Sequence, residues 1–239
     1  MNRILVALDV GTAAEATALA STLRGVVGGV KIGSQLFTSA GPDIVRRFVD
    51  AGDRVFLDLK FHDIPNTVAG SVAAAVGQGV WMLNVHASGG RAMLEAARRA
   101  ADTTAEARGL ARPILLAVTV LTSLDAKALT DVGVEADPLD QTLRLATLAQ
   151  EAGLDGVVSS PQETAAVRAA CGPAFVIVTP GIRGGSAVAG PDDQQRTATP
   201  AGAVAAGSSY LVVGRPITGA RDPRAAAIRL AEEIRNRVS

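Results

Sequence analysis

The sequence predicts an α/β protein, a single-domain (β/α)8 TIM barrel, on three observations. About eight short apolar runs of strand length alternate with segments of helical periodicity. The runs are almost continuously apolar, which is typical of parallel strands covered on both faces. The chain has 239 residues, and one such barrel commonly uses about 250. A doubly wound open sheet is the alternative, but no glycine-rich dinucleotide-binding motif follows the first apolar run.

The first half of the chain supplies four strand–helix units. Residues 4–8 form a short apolar run, and Thr12 can cap the helical pattern at 13–23. Residues 26–32 predict the second strand, followed by helical spacing of apolar residues between 36 and 48 with a break at Gly41-Pro42. Residues 54–59 and 81–85 predict the third and fourth strands. Helical patterns at 66–76 and 92–101 follow them, and the polar stretch 102–112 predicts a loop.

The second half repeats the alternation. Strands are predicted at 113–120, 157–158, 175–178 and 210–213, with helices at 125–130, 139–152, 162–170, 201–206 and 223–238. The glycine-rich and polar residues 184–199 have no clear periodicity, which indicates a lid that closes over a ligand. No linker or shift in composition divides the chain, so residues 1–239 are expected to form one domain.

Charge and composition exclude several classes of function. The 23 basic residues balance the 23 acidic ones, so no overall field would attract nucleic acid or a membrane surface. Aromatic residues make up only 3% of the chain, which argues against base stacking. No apolar run approaches the roughly 20 residues of a membrane span, and Asp9 interrupts the segment where a signal peptide would continue. The sequence therefore predicts a cytoplasmic protein, with the single Cys171 as a small helix residue.

The main chemical motif is the stretch 55–67, VFLDLKFHDIPNT. Asp58 and Lys60 are two residues apart at the end of a strand, so they share one face of it. Pro65 disfavours a regular strand beyond this point, which places Asp63 in a loop. A solvated surface turn is the common interpretation of such a motif in isolation. Because unpaired buried charges are costly, charges at a buried strand end indicate pairing or a ligand.

Polar side chains also end the other predicted strands, where βα barrels hold their active sites. The second and third strands are neighbours in a closed barrel, so Lys31 can contact Asp58 and Lys60. Loops after the seventh and eighth strands frequently bind phosphate. Gly214 would let a backbone N–H approach an anion, and the nearby arginines offer planar donors. The candidates at strand ends are Asp9, Lys31, Asp58, Lys60, His86, Thr122, Arg183 and Arg215.

Taken in order, these motifs resemble the orotidine 5′-phosphate decarboxylase family from residue 4 to about residue 224. The stretch 57–65, LDLKFHDIP, is the most specific of them. The resemblance implies a decarboxylation of orotidine 5′-phosphate to UMP, the last step of pyrimidine synthesis, by a homodimer without metal or other cofactor. The other matching segments are Asp9, Lys31, Leu121-Thr122-Ser123, Thr179-Pro180-Gly181-Ile182-Arg183 and Val213-Gly214-Arg215.

The resemblance also assigns roles. It implies that Lys60 donates a proton to C6 of the pyrimidine, within a charged array that contains Lys31, Asp58 and Asp63. The aspartate that matches Asp63 reaches in from the other subunit of a dimer. The implied substrate contacts are Asp9, Lys31 and Thr67 at the ribose, Asp58 facing the substrate carboxylate, Thr122 at the pyrimidine, and Arg183, Gln194, Gly214 and Arg215 at the phosphate and lid.

Two alternatives stay open. A magnesium-dependent sugar-phosphate decarboxylase or aldolase of the hexulose-phosphate type would share the Asp-x-Lys strand. Its metal site would need a further carboxylate ligand at the end of the second strand, where this sequence has Lys31. A catalytically silent nucleotide-binding barrel would have no need of an intact Lys60. His62 and His86 receive no role, because a lone histidine near a strand end is more often structural.

Overall fold

In the computed structural model, which describes residues 2–183 and 197–238, eight parallel strands close into a barrel. The strands are β1 (Ile4–Ala7), β2 (Gly29–Gly33), β3 (Val55–Phe61), β4 (Met82–His86), β5 (Ile114–Val118), β6 (Gly156–Val158), β7 (Val176–Thr179) and β8 (Tyr210–Val213). Neighbours follow chain order, and β8 closes onto β1 with Leu5 paired to Val212. This closure confirms the predicted (β/α)8 barrel, since an open sheet would leave both edges unpaired.

Helices connect the strands. They are α1 (Ala13–Leu23), α2 (Ser34–Ala40), α3 (Asp43–Asp50), α4 (Pro65–Val76), α5 (Arg91–Arg108), α6 (Ala126–Asp131), α7 (Pro138–Glu151), α8 (Thr164–Cys171), α9 (Pro200–Ala205), α10 (Arg215–Thr218) and α11 (Pro223–Val238). Thr12 caps α1 as predicted by accepting from the N–H of Glu15, and the Glu15 carboxylate accepts a hydrogen bond from the Thr12 N–H. Across the described ranges, no helix combines the length and apolarity that crossing a membrane requires.

Two layers of apolar side chains stabilise the barrel. The inner layer contains Leu5, Phe56, Met82, Leu116 and Val178. These residues come from strands on different sides of the barrel, so they can meet only in its interior. Leu57 and Leu83 directly follow inner residues and belong to the larger cluster packed under the helices. This alternation with period two directs Asp58, two residues after Phe56, towards the interior.

The structure shows that the predicted loop at 102–112 is wrong over residues 102–108, while residues 109–112 are irregular as expected. The polar stretch 102–112 was expected to be irregular, but α5 continues to Arg108 and ends at Gly109, whose φ is 62°. Arg98 donates two hydrogen bonds to Asp102 one turn later, and Ala105 is only 3% exposed. The polar residues therefore form the outer face of an amphipathic helix, and a left-handed glycine ends it.

Candidate active site

A cavity of about 620 Å³ opens at the C-terminal ends of the strands. Inward-facing residues of the strands form part of its wall, and residues that follow β5, β6, β7 and β8 complete it. This is the end of a βα barrel where active sites are found. Eight of the predicted site residues line it: Asp9, Lys31, Asp58, Lys60, Thr122, Arg183, Gly214 and Arg215.

Two lysines and two aspartates form a continuous charged array on this wall. The Nζ atom of Lys31 lies 3.1 Å from Oδ1 of Asp9 and 3.3 Å from Oδ2 of Asp58. The Nζ atom of Lys60 lies 2.7 Å from Oδ1 of Asp58. The side chain of Lys60 is 36% exposed, whereas those of Lys31 and Asp58 are 9% and 12% exposed. Lys60 is therefore the ammonium group that the array presents to a ligand.

The buried members of the array keep each other charged. Burial opposes a charge on Lys31, but the carboxylates of Asp58 and Asp9 outweigh it, so the pKa of Lys31 lies above its usual value. Burial also opposes a charge on Asp58, but Lys31 and Lys60 outweigh it and lower the pKa of this carboxyl. At neutral pH the cavity wall therefore carries fixed charges at both residues.

Strand β3 leaves regular pairing with β4 where it carries the array. Leu57 pairs with Leu83 and Phe61 pairs with Val85, so the three residues 58–60 lie opposite a single residue of β4. Such a bulge redirects side chains. Within it, Lys60 has a φ of 52°, the one positive value at a non-glycine residue in the ranges 2–183 and 197–238. Alternation predicted the shared face of Asp58 and Lys60, but not this bulge.

Asn84, which sequence reasoning missed, is the residue opposite the bulge. It is fully buried. Its Nδ2 atom donates to Oδ1 of Asp58 at 2.7 Å, and its Oδ1 atom accepts from the N–H of Lys60 at 2.8 Å. The sequence feature that could have identified Asn84 is a polar amide inside an apolar strand, two residues after the inward-facing Met82.

The part of the wall that follows β7 and β8 carries the two predicted arginines. Arg183 comes after β7, and Arg215 begins α10 directly after Gly214. Guanidinium groups suit the geometry of phosphate oxygens. The Arg183 N–H donates to the carbonyl of Ala198 at 2.9 Å, which ties the chain after β7 to the chain before α9. The cavity thus has a cationic region besides the array.

Two predicted site residues do not line this cavity in their own chain. Asp63 and Thr67 are exposed, in the loop after β3 and in the first turn of α4. Oδ1 of Asp63 accepts from the N–H of Ile64 at 2.6 Å, and Ile64 itself is 67% exposed. Gln194 lies outside the described residues. The loop position of Asp63 is confirmed, and the roles of all three residues stay predictions.

His62 and His86 meet beside Lys60, with ring centroids 5.3 Å apart. Burial is the main cause that lowers the pKa of His86, and the nearby His62 and Lys60 lower it further. The ring of His86 is therefore neutral at neutral pH. Among the described residues, no group of three or more His, Cys, Asp or Glu side chains is arranged to hold a metal ion.

A closed βα barrel with a charged cavity at the C-terminal strand ends, and with cationic side chains after its seventh and eighth strands, is typical of barrel enzymes that act on phosphorylated small molecules. The model of the orotidine 5′-phosphate decarboxylase / HUMPS family matches residues 2–230, and the chain belongs to that family.

Relatives of this chain extend over almost its full length. Orotidine 5′-phosphate decarboxylase from Moorella thermoacetica is 55% identical, covering 98% of this chain and 92% of the relative. The protein of the same name from Halorhodospira halophila is 56% identical, covering 97% of this chain and 95% of the relative. The crystal structure of orotidine 5′-phosphate decarboxylase from Lactobacillus acidophilus has a TM-score of 0.86 at 38% identity, covering 98% of this chain and 99% of that one.

Proposed function

We propose that this chain converts orotidine 5′-phosphate to UMP and CO2 without a metal or organic cofactor, as the last step of UMP synthesis. The observation that carries the proposal is the array of Lys31, Asp58 and Lys60, which holds a partly exposed ammonium inside the cavity. Two relatives that bear the name of this reaction, at 55% and 56% identity, support the same substrate.

The proposed chemistry uses Lys60 twice. The bond between C6 of the pyrimidine and its carboxylate breaks, CO2 leaves, and the electron pair stays on C6. A fixed ammonium stabilises the negative charge as it develops. The same ammonium then donates its proton to C6, and the neutral amine regains a proton from solvent. Asp58 would hold Lys60 in place through their 2.7 Å contact.

The substrate would lie with its phosphate at the arginines and its pyrimidine at Lys60. Binding energy at a distant phosphate can be used to orient the reacting carbon. The cavity supports this arrangement, because the array and the arginines line different parts of its wall. The proposed contacts are Asp9, Lys31 and Thr67 at the ribose, Asp58 at the substrate carboxylate, Thr122 at the pyrimidine, and Arg183, Gln194, Gly214 and Arg215 at the phosphate.

The contacts of Asp58 favour this reaction over the magnesium-dependent alternative. Its Oδ1 atom accepts from Lys60 and Asn84, and its Oδ2 atom lies 3.3 Å from Lys31. A magnesium ion would need carboxylate oxygens as ligands, and here ammonium groups already contact both oxygens. The intact array likewise argues against a silent nucleotide-binding barrel, which would have no use for Lys60.

We also propose that the chain works as a homodimer in which each subunit completes the other's site. Asp63 and Thr67 are exposed outside their own cavity, beside the exposed apolar Ile64. A two-fold dimer can bring one such surface to the equivalent cavity of its partner. Asp63 would then join the partner's array.

The domain organisation and location follow the same proposal. All eight strands belong to one closed sheet, which supports a single domain over residues 1–239. A charged nucleotide such as orotidine 5′-phosphate does not cross an apolar bilayer readily, so its enzyme would act in the compartment where the nucleotide is made, which we propose is the cytoplasm.

The deciding experiment measures UMP formation from orotidine 5′-phosphate with EDTA present. Turnover in EDTA is expected, and activity that needs added magnesium would instead support the metal-dependent alternative. Lys60→Ala should lower turnover by more than about 10⁴-fold, because acid and charge stabilisation are both lost. Lys127→Ala, at a lysine whose side chain is 83% exposed on α6, is the control and should stay active. Near-normal turnover in folded Lys60→Ala would contradict the role of Lys60.

A further inference from the structure

Asn84 is a polar side chain with 0% exposure in the middle of β4. Burying an amide without hydrogen bonds is costly, and both the Oδ1 and the Nδ2 atom of Asn84 form hydrogen bonds. The partners fix its orientation, since the N–H of Lys60 can only donate and the carboxylate of Asp58 can only accept. Asn84 therefore connects the backbone of one array residue with the side chain of another.

The first connection concerns the backbone of Lys60. The bulge removes residues 58–60 from regular pairing with β4, and the Asn84 side chain supplies an acceptor to the N–H of Lys60 at 2.8 Å. A φ of 52° is rare for a residue with a side chain, and such a conformation persists only when its surroundings hold it. The direction in which the Lys60 side chain leaves the backbone therefore depends on Asn84.

The second connection concerns the carboxylate of Asp58. Its Oδ1 atom lies 2.7 Å from Nδ2 of Asn84 and 2.7 Å from Nζ of Lys60. The amide therefore fixes the carboxylate, and the carboxylate fixes the ammonium. Two routes, one through the backbone and one through Asp58, lead from Asn84 to the same Nζ atom.

We propose that Asn84 is a positioning residue that aims the ammonium of Lys60 at the reacting carbon, an inference that rests on the proposed decarboxylation. Asn84 does not line the cavity and is fully buried, so it acts through Lys60 and Asp58 rather than on the substrate. Its loss should lower kcat and leave KM nearly unchanged, because the phosphate and ribose contacts are made elsewhere.

The first test is Asn84→Leu, which keeps the branched shape of the side chain, although it is larger, and removes both hydrogen bonds. A displacement of about 1 Å at a reacting group can cost about 10²-fold in rate, and we expect a fall in kcat of that size. The matched control is Leu83→Val, which trims the neighbouring residue of β4 on the face packed under the helices. This control should keep the wild-type kcat, because it touches neither Lys60 nor Asp58.

The second test is the pH profile of Asn84→Asp. The nearest titratable groups are Asp58 and Lys60 on β3 and His86 on β4. Burial and the carboxylate of Asp58 would raise the pKa of the new carboxyl and outweigh the Lys60 ammonium, which would lower it. While protonated, it can donate to Asp58 and accept from the Lys60 N–H as the amide does. The kcat of this variant should therefore fall as the pH rises through that pKa, an effect absent from wild type and Leu83→Val.

Hydrogen exchange at the Lys60 amide separates this inference from the proposed function. The amide should be protected in wild type and Leu83→Val and should exchange faster in Asn84→Leu, whatever substrate is converted. A wild type that forms no UMP overturns the proposed function, and exchange then decides whether Asn84 holds Lys60. Wild-type kcat in folded Asn84→Leu overturns the positioning role. If Asn84→Leu does not fold, an Asn84→Asp profile identical to wild type overturns it.

Discussion

Replacing Asp58 by asparagine keeps the shape of the side chain and removes the charge that two ammonium groups share. Lys31, whose side chain is 9% exposed, would keep only Asp9, whose side chain is 53% exposed. Removing one partner of a buried ion pair costs about 3–5 kcal/mol. Because Asp9 remains, we expect the lower end of that range, about 3 kcal/mol in the free energy of unfolding. At this chain length, that corresponds to about 6–12 °C in Tm.

The effect of this substitution should depend on pH. The pKa of Asp58 is lowered in the folded protein, so its stabilising contribution is complete above the pKa of an unfolded aspartate, about 3.9. The contribution is lost as the pH falls through the folded pKa. The difference in free energy of unfolding between wild type and Asp58→Asn should therefore be largest near neutral pH and should shrink in acid.

Urea unfolding followed by circular dichroism at several pH values measures this difference. Asp43→Asn is the control, because its carboxylate is 83% exposed and pairs with Arg46 on the surface, where an ion pair contributes about 0–1 kcal/mol. If folded Asp58→Asn is as stable as Asp43→Asn at neutral pH, the array does not stabilise the barrel. If the difference in free energy of unfolding between wild type and Asp58→Asn increases at acidic pH, the pKa of Asp58 is not lowered in the folded protein.

Two further predictions test the substrate contacts and the dimer. Arg215→Ala should weaken the binding of UMP far more than that of uridine, as measured by calorimetry, because only UMP carries the phosphate; equal losses for both ligands would contradict a phosphate contact. Mixing inactive Lys60→Ala and inactive Asp63→Ala chains should restore about half of the wild-type activity per mixed dimer, because one of its two sites then carries neither lesion. If subunits exchange and no activity returns, Asp63 does not serve the partner's site.

The positions of the array residues could be predicted because strand geometry fixes them. Apolar runs locate the strands, and in a closed parallel barrel all strands end at the same rim. Alternation with period two then places Asp58 and Lys60 on one face, and the neighbouring β2 brings Lys31 to them. Each of these steps uses local sequence or chain order alone.

Asn84 and the conformation of Lys60 could not be predicted in this way. The bulge depends on how β3 pairs with a strand about two dozen residues later, and residues 55–61 have the pattern of an ordinary strand. The extension of α5 was missed for a related reason. The polarity of Asp102 indicated a loop, while its pairing with Arg98 exists only once the helix has formed.

The bulge in β3 also bears on how such a barrel can evolve. The pairing of β3 with β4 is regular at Leu57 and resumes at Phe61. The register of β3 against β4 is therefore set on either side of residues 58–60, without regular backbone pairing at those three residues. Substitutions at Asp58 and Lys60, the two of these residues that line the cavity, can alter what it presents to a ligand, while the strand pairs around them are inherited unchanged. New reactions can therefore arise on this scaffold through a few side-chain replacements, without a change in the path of the backbone.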